Sequence, residues 1–156
     1  MYVWVSTNSA ILTPDGLVAH KETHLSIFIK WRMKMTKVAV IQEAPVFLDK
    51  EKTIKKAVAL IDKTAASNAK LIVFPETFIP GYPDWIWRLK PANDEELTEE
   101  IHAQLLANSI NLKTDDLKPL CDSAKKHQVT IVCNINERDF AHSQTTIYNT
   151  NVIIGC

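Results

Sequence analysis

Residues Lys70–Trp87 read KLIVFPETFIPGYPDWIW. Leu71-Ile72-Val73-Phe74 open the stretch with the length and β-branching of a buried strand. Pro75 ends that strand, because proline has no N–H to give to a ladder. Glu76 follows at once, where the carboxyl end of a strand in an open α/β sheet faces a crevice. Pro80-Gly81-Tyr82-Pro83 then form a stiff turn, with Trp85 and Trp87 just beyond. An acid on a rigid turn beside aromatic side chains is one way to build a small-molecule site. A glutamate after a strand is also a common solvated loop residue, and aromatics commonly just pack. Spacing alone favours the solvated-loop reading.

On either side of this stretch the pattern is that of an α/β layer fold. Lys37–Gln42, KVAVIQ, is short, β-branched and mostly apolar, and predicts a first strand. Asp49 is placed to cap a helix on which Ile54, Ala57, Val58, Ile61 and Ala65 make one buried face. Lys50, Lys52, Lys55, Lys56 and Lys63 lie mostly off that face and read as its solvated side. This helix is expected to stop near Asn68. Beyond the aromatic segment, Asn93 and Glu96 have capping-box spacing. They predict a helix with Leu97, Ile101, Leu105 and Ile110 as its inner stripe. His102 beside the stripe has no second ligand at i+4 and reads as a surface residue. Thr114-Asp115-Asp116 starts a third helix, with Pro119 tolerated in its first turn and Leu117, Leu120, Cys121 and Ala124 as its apolar face. Val129–Ile135 is apolar enough for a strand buried on both faces, with Cys133 a small core residue and Glu137 following the strand. Ile147–Ile154 is expected to return as its hairpin partner. Strand, helix, strand, helices, strand, strand is an α/β order.

Composition bounds the partners. The chain has 156 residues, long enough for one domain with a sizeable core. Lys and Arg total 18 and Asp and Glu total 18, which gives no electrostatic case for nucleic acid or an acidic membrane surface. No apolar run approaches the ~20 residues of a membrane span. Three cysteines with no close pair argue against a disulfide framework and for a reducing, cytoplasmic setting. No cofactor or metal is implied. With only three glycines, at 16, 81 and 155, some left-handed turns must use other residues.

Three segments, in order, resemble the nitrilase family of carbon–nitrogen hydrolases. FPETFIPGYPDWIW (74–87) is similar to its glutamate motif, closest to the nitrilase and cyanide-hydrolysing branch. KVAVIQEAP (37–45) and INERD (135–139) resemble family segments on either side. The likeness runs from Thr36 to Cys156. Residues 1–35 read as an N-terminal extension outside the domain, with Tyr2–Val5 strand-like, a turn at Pro14-Asp15-Gly16, and Met35 as the natural start; a docking arm is the alternative.

The resemblance implies a four-layer α-β-β-α sandwich, of which this chain reads as the front half, truncated at its C-terminal side. It implies hydrolysis of a small-molecule nitrile to a carboxylic acid and ammonia through a cysteine thioester. A glutamate base activates the thiol and a lysine stabilises charge on nitrogen. Glu76 matches the base. Glu137 matches a second glutamate, and Tyr82, Trp85 and Trp87 match pocket positions. The two carboxylates are expected to converge on one pocket near Tyr82. No lysine or cysteine matches the family's remaining catalytic positions: Cys121 is helical, Cys133 mid-strand and Cys156 lacks the surrounding motif. The family commonly has glycine where this chain has Asn68, Gln128 and Asn134, and the Asn134 side chain is expected to crowd the backbone near Glu137. Assembly as a homo-oligomer or with a full-length nitrilase follows from the same resemblance. A non-catalytic interaction module and a degenerate inactive product are the alternatives.

Overall fold

The structure, a computed structural model, describes residues 36–90 and 92–155. The expectations for the N-terminal extension and for Cys156 lie outside the described residues.

Three parallel strands and one antiparallel strand make a single sheet in the order β1 (Val38–Val40), β2 (Leu71–Val73), β3 (Thr130–Arg138), β4 (Ile147–Ile154). β1 pairs β2 as expected, Val38 opposite Leu71 and Val40 opposite Val73. The Lys70 N–H to Lys37 O bond and the Ile41 N–H to Val73 O bond, each 2.8 Å, extend that ladder by a residue at both ends. β2 pairs β3 in parallel, Ile72 opposite Ile131, and β3 pairs β4 as the expected hairpin. β3 is longer than the sequence predicts. It runs on through Arg138, so Glu137 is a strand residue and does not follow the strand.

Successive side chains alternate between the two faces of a sheet, and here the two faces differ. On one, Ile72, Ile131, Cys133 and Ile135 are fully buried. They pack against Ile54, Ala57 and Ile61 of α1 (Lys50–Ala65) and Leu120 and Ala124 of α3 (Lys118–His127). On the other, Val38, Val40 and Ile153 are exposed. One helical layer and one sheet layer are thus in place, the front half of a sandwich.

Asp49 caps α1 through a 2.9 Å bond from the Lys52 N–H to its Oδ1. Gln128 (φ 53°) is the left-handed C-cap of α3, and Asn68 (φ 64°) is the left-handed residue of the turn that follows α1, so both turns do without glycine. Three helical details depart from expectation. α2 (Glu95–Asn108) has Asp94 at its N-cap, and that carboxylate accepts from the Lys90 N–H of the preceding turn, so no Asn93–Glu96 box forms. Leu97 is exposed, Leu105 is the buried residue of the helix, and Ile110 lies beyond it, bridging to Glu137. Cys121 is exposed. A 3₁₀ turn at Asp115–Leu117 precedes α3; Leu117, Leu120 and Ala124 are buried as expected, with Ser123 in place of Cys121 on that face.

Candidate active site

Pro75–Tyr82 leaves the carboxyl end of β2 as a loop pinned on several sides. Phe78, Ile79 and Pro80 are buried. Ile79 O accepts from the Asn136 N–H at 2.8 Å and Pro80 O from the Leu48 N–H at 3.0 Å, while the Gly81 N–H closes the loop onto Thr77 O at 2.9 Å. Gly81 is obligatory here. Its φ is 138°, and a Cβ would come within 3.0 Å of the Phe47 ring. Thr77 also takes a positive φ, 43°. Its N–H donates to the buried Asn134 Oδ1, and the Asn134 Nδ2 donates to Asn151 Oδ1 at 3.0 Å. Asn136 Nδ2 donates to Gly81 O at 2.8 Å. Asn134 therefore does not crowd the backbone near Glu137; it turns toward the Glu76 loop and holds it.

Glu76 is the exposed member of this loop, and its Oε1 accepts from Asn149 Nδ2 at 2.8 Å. It borders a cavity of about 470 Å³ with Val73, Phe74, Val132, Asn134, Asn149 and Asn151. A larger cavity, about 550 Å³, lies between the start of α1 and Pro119. It is walled by Lys50, Lys52, Lys55 and aliphatic side chains with Glu51 and Asp116, the latter paired with Lys50 at 2.9 Å, and it contains no residue of the 70–87 motif.

Glu137 does not share that cavity. Its Oε2 accepts from Thr150 Oγ1 at 2.8 Å. Thr150 and Asn149 are consecutive on β4 and point to opposite faces. The two carboxylates therefore lie on opposite faces of the β3–β4 ladder, and the expected convergence does not occur. The rest of 136–139 is also occupied structurally. Arg138 Nε donates to Gln144 O at 2.7 Å and its guanidinium lies over the Phe140 ring. Asp139 accepts from the Ala141 and His142 N–H groups, which hold its carboxyl below the usual range.

None of the three aromatics borders the Glu76 cavity. Trp85 is buried and meets Phe47 edge to face at 5.8 Å, Tyr82 is about half exposed, and Trp87 is 79% exposed. Trp85 thus anchors the turn, while Tyr82 and Trp87 present aromatic surface. Among the described residues no lysine or cysteine borders that cavity. Burial pushes the Cys133 thiol up to about 12, which removes it as a nucleophile near neutral pH. Sequence reasoning missed the asparagines. The signal was present as Asn-x-Asn in both CNIN (133–136) and NTN (149–151), a repeat that on two paired strands puts four amides on one face.

Residues 37–155 match the family model described as carbon–nitrogen hydrolase. The chain is 36% identical over 121 residues to an arylacetonitrilase of Aspergillus oryzae, covering 76% of this chain and 34% of that protein. It is 35% identical over 119 residues to an aliphatic nitrilase of Rhodococcus rhodochrous, covering 76% and 30%. The chain thus spans about a third of the length of these curated relatives. Among solved structures, Saccharomyces cerevisiae Nit3, a member of branch 10 of the nitrilase superfamily, superposes with a TM-score of 0.56 at 24% identity, covering 77% of this chain and 40% of that one, a likeness of fold. The family match extends through β1, the Glu76 loop and the β3–β4 hairpin alike, and the chain belongs to the carbon–nitrogen hydrolase family.

Proposed function

We propose that this chain is the general-base part of a nitrilase-type hydrolase, converting a nitrile and two waters to a carboxylic acid and ammonia. The observation that carries the reading is Glu76. It stands exposed on a loop fixed at the end of β2, with one carboxylate oxygen held by Asn149 and the other accepting no bond among the described residues. That is the arrangement a base needs to take a proton from an approaching thiol. The thiol, and the cation that meets charge developing on nitrogen, are supplied from outside the described residues. Cys133 is buried in the core and Cys121 sits on the exposed side of α3, away from the Glu76 cavity. The working domain is 36–156, with 1–35 an N-terminal extension. Glu137, hydrogen-bonded to Thr150 on the helical face, has a supporting role. Tyr82 and Trp87 offer the aromatic surface, and the relatives' names point to arylacetonitriles and aliphatic nitriles as the substrates to try. The two free thiols among the described residues suit the reducing cytoplasm.

The test is ammonia release from arylacetonitriles, aliphatic nitriles and cyanide. The 156-residue chain alone is expected to release none, because residues that act as a catalytic unit fail together. Joined to the remaining C-terminal region of a curated relative it is expected to turn over, and Glu76→Gln is expected to abolish that turnover. Turnover by the isolated chain, or by the Glu76→Gln fusion, would overturn the reading.

A second reading has an observation of its own. Val38, Val40 and Ile153 are exposed on the sheet face that the Glu76 loop covers only in part. A non-catalytic module that associates with intact nitrilase subunits would use such a face. Co-elution of the chain with a purified full-length relative, lost in Val40→Lys, would favour it.

A further inference from the structure

Two of the four asparagines bear directly on Glu76. Asn149 and Asn151 of β4 stand opposite Asn136 and Asn134 of β3, so all four amides share the face on which the Glu76 loop lies. Their orientations are dictated by their partners. A carboxylate only accepts, so Asn149 must present its NH₂ to Glu76 Oε1. The Thr77 N–H only donates, so Asn134 must present its oxygen there and its NH₂ to Asn151. One amide thus holds the carboxylate of residue 76 and another holds the backbone of residue 77. The base is fixed at both its head and its root.

We propose that Asn149 is a positioning residue for Glu76. Its amide N–H holds Oε1, which leaves Oε2 as the oxygen that takes the proton, and Asn134 fixes the loop from which the carboxylate projects. A hydrogen bond to an ionised acceptor is short and directional, so it sets the carboxylate plane as well as its place. The inference rests on the reading of Glu76 as the base, and it assigns Asn149 no contact with substrate.

The first test is made on the 156-residue chain carrying Val40→Lys and Ile153→Lys, exposed positions whose charges oppose association through the open sheet face. The side-chain amide resonances of Asn149 are followed by ¹⁵N NMR as pH is taken through the carboxylate range. They are expected to move as the Glu76 carboxylate is protonated, and to stop moving in Glu76→Gln, an isosteric change at an exposed side chain. An Asn149 amide that is silent to pH, or that still titrates in Glu76→Gln, would overturn the proposal. The second test uses the chain joined to the C-terminal region of a relative. Asn149→Ala is expected to lower kcat toward ~10²-fold, the scale of an ångström of misplacement. KM should stay within about twofold, since no binding contact is removed. Asn149→Asp should be worse, because a second negative charge stands against Glu76. Equal loss in kcat and KM, or full activity in Asn149→Asp, would count against positioning. The two readings separate cleanly. Turnover surviving in Glu76→Gln removes the base assignment, whereas a silent Asn149 amide beside a dead Glu76→Gln removes only the positioning role.

Discussion

At the scale of single residues, the site depends on amides that a sequence does not advertise. Asparagine is disfavoured in strands, so CNIN read as an apolar strand with a misfit. The misfit is the mechanism of the loop. Asn136 is 3% exposed, and its amide is the partner of the Gly81 carbonyl in a turn where any side chain at residue 81 would be strained. Asn136→Ala is therefore expected to leave a buried carbonyl unpaired, at a cost of about 1–3 kcal/mol. Urea unfolding read by far-UV circular dichroism would show it as a lower midpoint at unchanged slope. A midpoint equal to that of the parent chain would mean that water replaces the amide. Glu76 itself was legible from its place after Leu71–Phe74 and Pro75. Its partner was not, because Asn149 is 73 residues away and only the strand register brings it near. The supposed convergence of Glu76 with Glu137 failed for a related reason. Once β3 runs to Arg138, alternation decides which face Glu137 takes, and a one-residue question of strand length becomes a question of side.

At the scale of elements, local signals served best where they were chemically specific. Asp49 as a cap, Pro119 near the start of α3 and left-handed Asn68 and Gln128 were all readable, each for a named steric or hydrogen-bonding reason. The stripe of α2 was not, because periodicity shows which residues share a face and not whether anything covers it. Helix pairing rests partly on charge. His127 Nε2 lies 2.5 Å from Asp62 Oδ1, joining α3 to α1, with Lys126 also close at 3.4 Å. The His127 hydrogen bond holds the Asp62 carboxyl below its usual range; slight burial opposes this, and Lys126 adds to the depression. A folded-state value below the unfolded one stabilises the fold above the unfolded carboxylate value, ~3.9. That contribution falls away as pH drops through the folded value. Asp62→Asn is accordingly expected to flatten the acid limb of a stability–pH profile below about pH 4. Thermal melts across that range would check it. An acid limb as steep as that of the parent chain would show that other carboxylates set it. The effect is small by nature, since Asp62 is 43% exposed and its pair is screened.

At the scale of the molecule, the two faces of the sheet set the behaviour of the whole chain. The helical side is closed, with Ile72, Ile131, Cys133 and Ile135 fully buried beneath α1 and α3. The opposite side carries Val40 at 68% and Ile153 at 72% exposure, with Val38 at 49%. β1 and β4 also end the sheet with free edges among the described residues. An exposed apolar sheet face with open edges favours association, because burial removes apolar area from water and edge pairing satisfies backbone groups. The same face carries Glu76 and its asparagines, so whatever covers the valines also closes over Glu76. The purified 156-residue chain is thus expected to bind a hydrophobic dye such as ANS and to sediment as self-associated species. Val40→Lys with Ile153→Lys should reduce both without altering the far-UV spectrum, since neither side chain reaches the helical core. A chain that sediments as a monomer, binds no dye and unfolds in one sharp transition would overturn this expectation.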